Sequence, residues 1–307
     1  MVRQLVLIAG PTGSGKTALS LFLGERLAMP ILCCDSLQVY RSMDIGTAKV
    51  SSGDRIRVPH YGLDLVDPWE CYNVRQFYDY AVSVANGLNG PMLCVGGSSF
   101  YLQMFHGPVC DSIAIENSLR ERVRQILDSE GINGLLRELD SRGGGDFPMD
   151  RSNPRRVARA LERCMATGEP PSVALEKFRN SQWAFETVKV FTVTVEAAGS
   201  AYGEALLKRI DHMLSVGLVE ETEELRRVGF ERNPSACGAI GYAEALAFID
   251  GKLAKNELPN RIFIRTKQLA RKQRCWIRHK IPSDLSTDGR SEDWERVAEK
   301  IRRFLNP

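Results

Sequence analysis

Long apolar runs and paired cysteines are missing from this chain of 307 residues. No segment is apolar over enough residues to be a signal peptide or a membrane span, so we expect a cytoplasmic protein. The eight cysteines contain no C-x-x-C pair, and we interpret them as buried thiols rather than as disulfides or zinc ligands. Internal repeats and low-complexity tracts are absent too, which leaves an ordinary globular protein with room for about two domains.

A large net charge is also absent, since +3 is too small to indicate nucleic-acid binding. The cations are nevertheless clustered. One run without acidic residues contains Arg261, Arg265, Lys267, Arg271, Lys272, Arg274, Arg278 and Lys280, and a second cluster contains Arg151, Arg155, Arg156, Arg159 and Arg163. Either cluster alone could be a solvated helix face. Two clusters together favour a polyanionic partner.

The most specific motif is a phosphate-binding loop directly after the apolar run 5–9. Its residues, which match G-x-x-x-x-G-K-[ST], are Gly10, Pro11, Thr12, Gly13, Ser14, Gly15, Lys16 and Thr17. Such loops are typical of nucleotide-binding and ATP-binding proteins. Backbone N–H groups surround the phosphates, Lys16 reaches the terminal phosphate, and the Thr17 hydroxyl can hold Mg²⁺. A plain glycine-rich turn is the alternative, and the motif leaves open which phosphate compound binds.

The pattern of elements predicts an α/β fold. Apolar runs at 4–9, 30–34, 92–95 and 188–195 predict strands, and helical patterns at about 17–27 and 74–88 lie between them. A phosphate loop after the first strand and strands that alternate with helices predict a P-loop parallel sheet with helices on both faces.

The alternation stops in the middle of the chain. Helical patterns at 116–129, 132–142 and 154–167 predict an inserted all-helical subdomain at 115–182, so that 1–114 and 183–307 form the core. Further helices at about 201–216, 219–228, 240–250, 257–279 and 292–305 predict a helical C-terminal part.

Asp35 is the first candidate for chemistry outside the loop. It follows the second predicted strand, and the carboxyl ends of parallel strands open onto one crevice, so we expect it near the phosphate loop. There it could position Mg²⁺ through water or act as a general base. A turn or helix cap is the structural alternative.

An ordered set of segments carries a resemblance to a known family. They are residues 10–17, 35–36, 39–41, 43–49, 58–60, 67–68, 96–97 with Tyr101, 153–162, 240–242, and Gln273 with Trp276 and Arg278. With these segments the chain resembles the tRNA dimethylallyltransferases, also called tRNA isopentenyltransferases. The resemblance implies transfer of a dimethylallyl group from dimethylallyl diphosphate to N6 of the adenosine 3′ of the anticodon. The tRNAs concerned read codons that begin with U, and pyrophosphate leaves.

The resemblance also assigns catalytic roles. Asp35 would be the base that takes the N6 proton, while Lys16, the loop and Mg²⁺ on Thr17 would stabilise the departing pyrophosphate. ATP hydrolysis is not expected. Arg209 aligns with a family arginine directed at the diphosphate, although its sequence context alone suggests an exposed helix residue.

Partner contacts follow from the same resemblance. The residues that would contact tRNA are Asp35, Ser36, Leu37, Gln38, Ser98, Arg120, Arg155, Arg156, Val157, Ala158, Arg159, Gly238, Ala239, Ile240, Gly241, Tyr242 and Ala243. The helix at 261–280 would neutralise RNA phosphates. We expect a monomer that binds the anticodon stem-loop and dimethylallyl diphosphate, and no membrane.

Some positions depart from the family pattern, and other functions remain open. Ser98, Ser99 and Phe100 stand where the family usually has Thr-Gly-Leu, and Ala205 replaces an arginine found in many relatives. A free adenine nucleotide as acceptor is the nearest alternative, followed by a small-metabolite kinase and a non-catalytic RNA-binding module. No D-D-x-x-D motif is present, so prenyl-chain elongation is not expected.

Overall fold

A computed structural model of the chain describes residues 2–111, 113–197 and 200–306, and it contains two compact units. The larger unit comprises the residues up to Gly107 and those from Ala184 onward. The smaller unit runs from Pro108 to Trp183. The bounds that we predict for the insertion, 115 and 182, lie within this smaller unit.

A six-stranded sheet in the order β3-β2-β4-β1-β5-β6 organises the larger unit. Its strands are β1 Gln4–Ala9, β2 Ile31–Cys34, β3 His60–Tyr61, β4 Met92–Gly96, β5 Lys189–Val195 and β6 Leu285–Thr287. All neighbours in the sheet pair in parallel. The predicted α/β class with a parallel sheet is confirmed. The two edge strands were not predicted, and β6 shows that the C-terminal part is not helical throughout.

Among the described residues, nine helices lie at predicted positions, and four short helices, at 52–57, 99–103, 171–179 and 234–237, were not predicted. In chain order they are α1 Lys16–Leu27, α2 Ser52–Arg57, α3 Val74–Gly87, α4 Ser99–Gln103, α5 Asn117–Leu139, α6 Pro154–Thr167, α7 Pro171–Arg179, α8 Ser200–Ser215, α9 Leu218–Arg227, α10 Pro234–Cys237, α11 Tyr242–Ile249, α12 Leu258–Lys280 and α13 Trp294–Leu305. A capping box opens α3, where the Asn73 side chain accepts from the N–H of Gln76 and the Gln76 side chain accepts from the N–H of Asn73.

Both faces of the sheet are covered. Val6 and Ile8 of β1 pack in one cluster with residues of α1 and α13, such as Leu19 and Ile301. Side chains alternate along a strand, so Leu5 and its neighbours in register point to the opposite face, where Leu5 is fully buried. With both faces closed, the free edge for a ligand is the one where the strands end.

The smaller unit is a helical assembly in which α5 packs against α6. Its core is formed by Val123, Leu135, Leu139, Val157, Leu161 and Cys164. The two helices predicted at 116–129 and 132–142 meet at Gly131, whose φ of 64° interrupts the helical backbone of α5. The short α7 was not predicted, because its start at Pro170-Pro171 resembles a loop.

The structure shows how exposed the cysteines are. Cys33, Cys34, Cys94 and Cys164 are buried free thiols, but Cys71 and Cys275 are exposed, so the interpretation of all eight as buried was wrong. Within the part of the chain that the structure describes, no helix is both long and apolar enough to cross a membrane.

Candidate active site

The phosphate loop joins β1 to α1 at the carboxyl edge of the sheet. Gly13 and Gly15 have φ values of 73° and 84°, in the left-handed region that only glycine adopts without strain. The Lys16 ammonium donates to the carbonyl of Pro11 at 2.6 Å, so the lysine folds back over the loop. The buried hydroxyl of Ser14 has no hydrogen-bond partner among the described residues. The loop therefore presents donors, one of them unpartnered, at a helix start that suits an anion.

A cavity of about 400 Å³ opens beside this loop. Three successive strand ends contribute to it, since the loop follows β1, Asp35 follows β2 and Gly97 follows β4. Gln38, Cys33, His60, Ala205, Arg209 and Gln273 also line it. The structure thus brings Asp35 to the phosphate loop, as the strand order leads one to expect.

The cavity holds two cations with lowered pKa values. Burial lowers the pKa of Lys16 to about 7, with repulsion from Arg209 adding to this effect and attraction by Asp35 opposing it. Burial also lowers the pKa of Arg209, again opposed by Asp35 and by Tyr202. Arg209 is therefore a desolvated side chain of the cavity rather than the exposed helix arginine that its sequence context suggests.

The turn after β2 fixes the residues around Asp35. One carboxylate oxygen of Asp35 accepts from the N–H of Leu37 at 2.9 Å, and the N–H of Ser36 donates to the hydroxyl of Ser98 at 3.0 Å. The Gln38 amide donates to the carbonyl of Thr47 at 3.2 Å. Asp35 thus caps its own turn and also lines the cavity, so the structural and the chemical interpretations both apply to it.

A half-buried carboxylate stabilises the chain that follows this turn. Glu221 of α9 accepts from the N–H groups of Ile45 and Gly46 and from the hydroxyl of Tyr242 at 2.6 Å. Gly46 lies so close to the Tyr242 ring that a Cβ there would be 2.4 Å from a ring carbon. The side chain of Tyr242, which the resemblance assigns to tRNA contact, is fully buried and supports the segment around Gly46.

Two residues to which the sequence analysis assigns no role hold Thr12 of the phosphate loop. The Gln273 side chain accepts from the N–H of Thr12 at 2.9 Å and donates to the carbonyl of Gly97 at 3.0 Å. The Tyr202 hydroxyl donates to the carbonyl of Thr12 at 2.7 Å. A signal for Gln273 exists in the sequence, because it lies in helical spacing with the buried Ala270 and Ile277.

Comparison with known proteins identifies the family. A family model described as IPP transferase matches residues 38–280, and one described as isopentenyl transferase matches residues 3–55. The chain belongs to the IPP transferase family. The chain is 35% identical over 288 residues to the tRNA dimethylallyltransferase of Opitutus terrae, with 93% of each chain covered.

Solved structures agree with this assignment. The full-length tRNA isopentenylpyrophosphate transferase of Bacillus halodurans matches with a TM-score of 0.66 at 28% identity, covering 99% of this chain and 95% of that one. A eukaryotic dimethylallyltransferase acting on tRNA shares the fold, with a TM-score of 0.81 at 24% identity, covering 98% of this chain and 78% of that one. The resemblance carried by the sequence motifs is thereby confirmed, and the chain is a prenyl transferase.

The residues that the resemblance assigns to tRNA contact occupy different environments in the structure. In the smaller unit, Arg120, Arg155 and Arg156 are exposed, and Arg159 is exposed but pairs with Glu162 at 2.6 Å. The side chain of Val157 is buried in the core of that unit. In the larger unit, Ala239 and Gly241 are buried, Ile240 and Ala243 are half-buried, and Gly238 is exposed.

The basic helix α12 is likewise not a uniform cationic surface. Arg274 donates to the carbonyl of Ala197 at 2.8 Å and lies over the ring of Tyr202, and Arg265 pairs with Glu244. The cations that face solvent are Arg261, Lys267, Arg271, Lys272, Arg278 and Lys280. Arg265 and Arg274 therefore have structural contacts, and the expectation that the run neutralises RNA phosphates stays a prediction.

Proposed function

We propose that this enzyme transfers a dimethylallyl group from dimethylallyl diphosphate to N6 of the adenosine 3′ of the anticodon, in tRNAs that read codons beginning with U. Pyrophosphate is the second product. The observation that carries the proposal is one cavity in which two desolvated cations, Lys16 and Arg209, lie within electrostatic reach of a single carboxylate, Asp35. The names of the relatives described above support the same donor and acceptor.

The loop side of the cavity suits the donor. As the bond between the allylic carbon and the diphosphate oxygen breaks, negative charge grows on the leaving pyrophosphate. The ammonium of Lys16, the guanidinium of Arg209 and the unpartnered hydroxyl of Ser14 are donors that stabilise this charge. Because these groups are already desolvated, little solvent has to reorganise during the reaction.

Asp35 is the proposed general base on the acceptor side of the cavity. The lone pair of N6 forms the new bond to the allylic carbon, and the proton that N6 loses passes to the Asp35 carboxylate. Base catalysis of this kind is worth roughly 10² to 10⁴ in rate. The Leu37 N–H bond to one carboxylate oxygen fixes the orientation of the side chain. Ser36, Leu37 and Gln38 form the turn around it and are proposed contacts of the acceptor nucleotide.

Mg²⁺ is the proposed cofactor, with the Thr17 hydroxyl as its ligand. The donors around the loop fit this ion, since a hydroxyl and one nearby carboxylate leave most positions to substrate oxygens and water, as Mg²⁺ prefers. Among the described residues, no three His, Cys, Asp or Glu side chains form a metal cage. When bound, the ion would neutralise charge on the diphosphate.

Exposed cations in both units are the proposed RNA contacts. In the smaller unit these are Arg120, Arg155, Arg156 and Arg159, and in the larger unit they are the solvent-facing cations of α12. Contacts to phosphates release counterions, so binding weakens with salt. Further proposed contacts are Ala158 in the smaller unit and Ser98 with the segment 238–243 in the larger unit. Buried side chains among them would contribute by shaping the backbone. A cytoplasmic monomer is part of the same proposal.

The test is a direct assay of the purified protein. It is incubated with Mg²⁺, dimethylallyl diphosphate and an unmodified anticodon stem-loop that carries A-A-A at the target site, and mass spectrometry detects prenylated adenosine. AMP and ATP serve as parallel acceptors. We expect product on the stem-loop alone. Product on the nucleotides alone would replace the tRNA acceptor by a free nucleotide, and no product on any acceptor would contradict the proposal.

A further inference from the structure

Phe100 differs from every other aromatic residue of the described chain in its exposure. Its side chain is 59% exposed, whereas the other Phe, Tyr and Trp residues are buried or half-buried. The remaining exposed large apolar side chains are aliphatic: Ile56, Val173, Leu207, Val216, Val228, Ile264 and Leu269. An aromatic ring left in water beside a functional site is a feature of surfaces that bind a partner.

The position of Phe100 connects it to the acceptor turn. It lies in the first turn of α4, directly after Ser98 and Ser99. The Ser98 hydroxyl accepts from the N–H of Ser36 at 3.0 Å and donates to the Ser36 hydroxyl at 3.3 Å. Ser36 is the neighbour of Asp35 in the chain. The exposed ring therefore belongs to the segment that is hydrogen-bonded to the turn of the proposed base.

The basic helix also contacts this segment. The helix α4 packs against α12, and the Gln273 side chain donates to the carbonyl of Gly97, just before Ser98. Arg271 and Lys272, which precede Gln273, are exposed. Single-stranded RNA is bound by surfaces of this composition, in which bases stack on aromatic rings while nearby cations contact the phosphates.

We propose that Phe100 is a stacking platform for an unpaired anticodon-loop base next to the target adenosine. The inference rests on the proposed function and deepens it by naming how the loop is held. Turning the adenine out of the loop removes stacking from its neighbours, and the Phe100 ring replaces that contact. Every base has a π-face, so the ring positions the loop without reading its sequence.

The experiment compares Phe100→Ala, Phe100→Trp and the control Ile56→Ala, which removes an apolar side chain that is 86% exposed. Each variant is titrated with a stem-loop that carries 2-aminopurine 3′ of the target adenosine, at several salt concentrations. We expect Phe100→Ala to weaken RNA binding about five- to a hundredfold. The slope against log salt should not change, because no phosphate contact is lost. Phe100→Trp should retain affinity, and Ile56→Ala should match the wild type.

Two further readouts separate stacking from a structural role. The 2-aminopurine emission of the complex should be brighter with Phe100→Ala, and the KM for dimethylallyl diphosphate should stay unchanged. Two results would show that Phe100 is not a stacking platform, provided that the wild-type enzyme prenylates the stem-loop. Either Phe100→Ala keeps the wild-type affinity for RNA, or it loses as much affinity for the diphosphate as for RNA. If the wild type fails to prenylate the stem-loop, the proposed function fails, and the platform fails with it.

Discussion

The cations of the catalytic cavity and those of the smaller helical unit differ in burial and in pairing with carboxylates. In the cavity, Lys16 and Arg209 are desolvated, and their pKa values are lowered because one carboxylate does not compensate their burial. In the smaller unit, Arg142 pairs with Glu138, Arg151 with Asp140, Arg159 with Glu162 and Arg163 with Asp111.

The difference shows where positive charge is available to a ligand. The cavity keeps its charge uncompensated, so a diphosphate that enters gains strong electrostatic contacts. In the smaller unit, three of the five clustered arginines are paired with a carboxylate. Of the five clustered arginines, only Arg155 and Arg156 have no carboxylate within ion-pair distance among the described residues. A count of basic residues therefore overstates the attraction for RNA.

Replacing Asp35 tests the carboxylate side of the cavity and has the largest expected effect. In Asp35→Asn the side-chain oxygen that accepts from Leu37 is kept, but the proton acceptor is lost. We expect kcat to fall by about 10² to 10⁴, while dimethylallyl diphosphate still binds in calorimetry. Turnover at the wild-type rate would remove Asp35 from the mechanism.

Arg209 tests whether the uncompensated charge serves the donor. Loss of a charge-assisted contact to a phosphate costs about 1.5 to 3 kcal/mol, so Arg209→Gln should raise the Kd for dimethylallyl diphosphate roughly 10- to 100-fold. Lys208→Gln is the matched control, because Lys208 is the exposed neighbour on the same helix. Equal effects of the two substitutions in calorimetry would mean that burial of Arg209 gives it no special role.

The lowered pKa of Lys16 predicts a pH effect on ligand binding. With a pKa of about 7 in the free enzyme, the ammonium is half populated at pH 7 and about one-tenth populated at pH 8. Pyrophosphate affinity should fall about fivefold over this interval if the protonated form binds. Lys16→Arg keeps its charge and should lose this fall. The same pH profile in both proteins would show that the ligand's own ionisation causes it.

The smaller unit gives the smallest expected effect. Replacing the unpaired Arg155 and Arg156 together by Gln should lower the slope of log K against log salt by about two units and weaken stem-loop binding several-fold. The control removes the same charge from two paired residues, Arg151→Gln with Arg163→Gln, and should leave the slope nearly unchanged. Equal slopes for the two double variants would show that pairing with a carboxylate does not reduce the contribution of an arginine to RNA binding.

Local patterns were sufficient to predict the centre of the fold. The apolar run of β1, the glycine-rich loop after it and the capping box of α3 are each encoded by neighbouring residues. The approach of Asp35 to the loop follows from a general property of parallel sheets. The edge strands β3 and β6 could not be predicted in this way, because two and three residues carry no alternation and form by pairing with β2 and β5.

The environment of single side chains was harder to predict. Arg209 and Gln273 lie on helices rich in polar residues, and their burial comes from where those helices pack over the loop. Tyr242 belongs to a family motif, yet its ring fills the space beside Gly46. A motif indicates that a residue matters without indicating whether it contacts the ligand or holds a neighbour that does.

The bond between Thr12 and Gln273 joins residues 261 positions apart in the chain. During synthesis, the phosphate loop therefore leaves the ribosome long before the side chain that braces it. Closing so long a segment is a slow, non-local step in folding. A nascent chain that ends before α12 has the loop without its brace at Thr12 and Gly97, so a complete donor site requires the synthesis of α12.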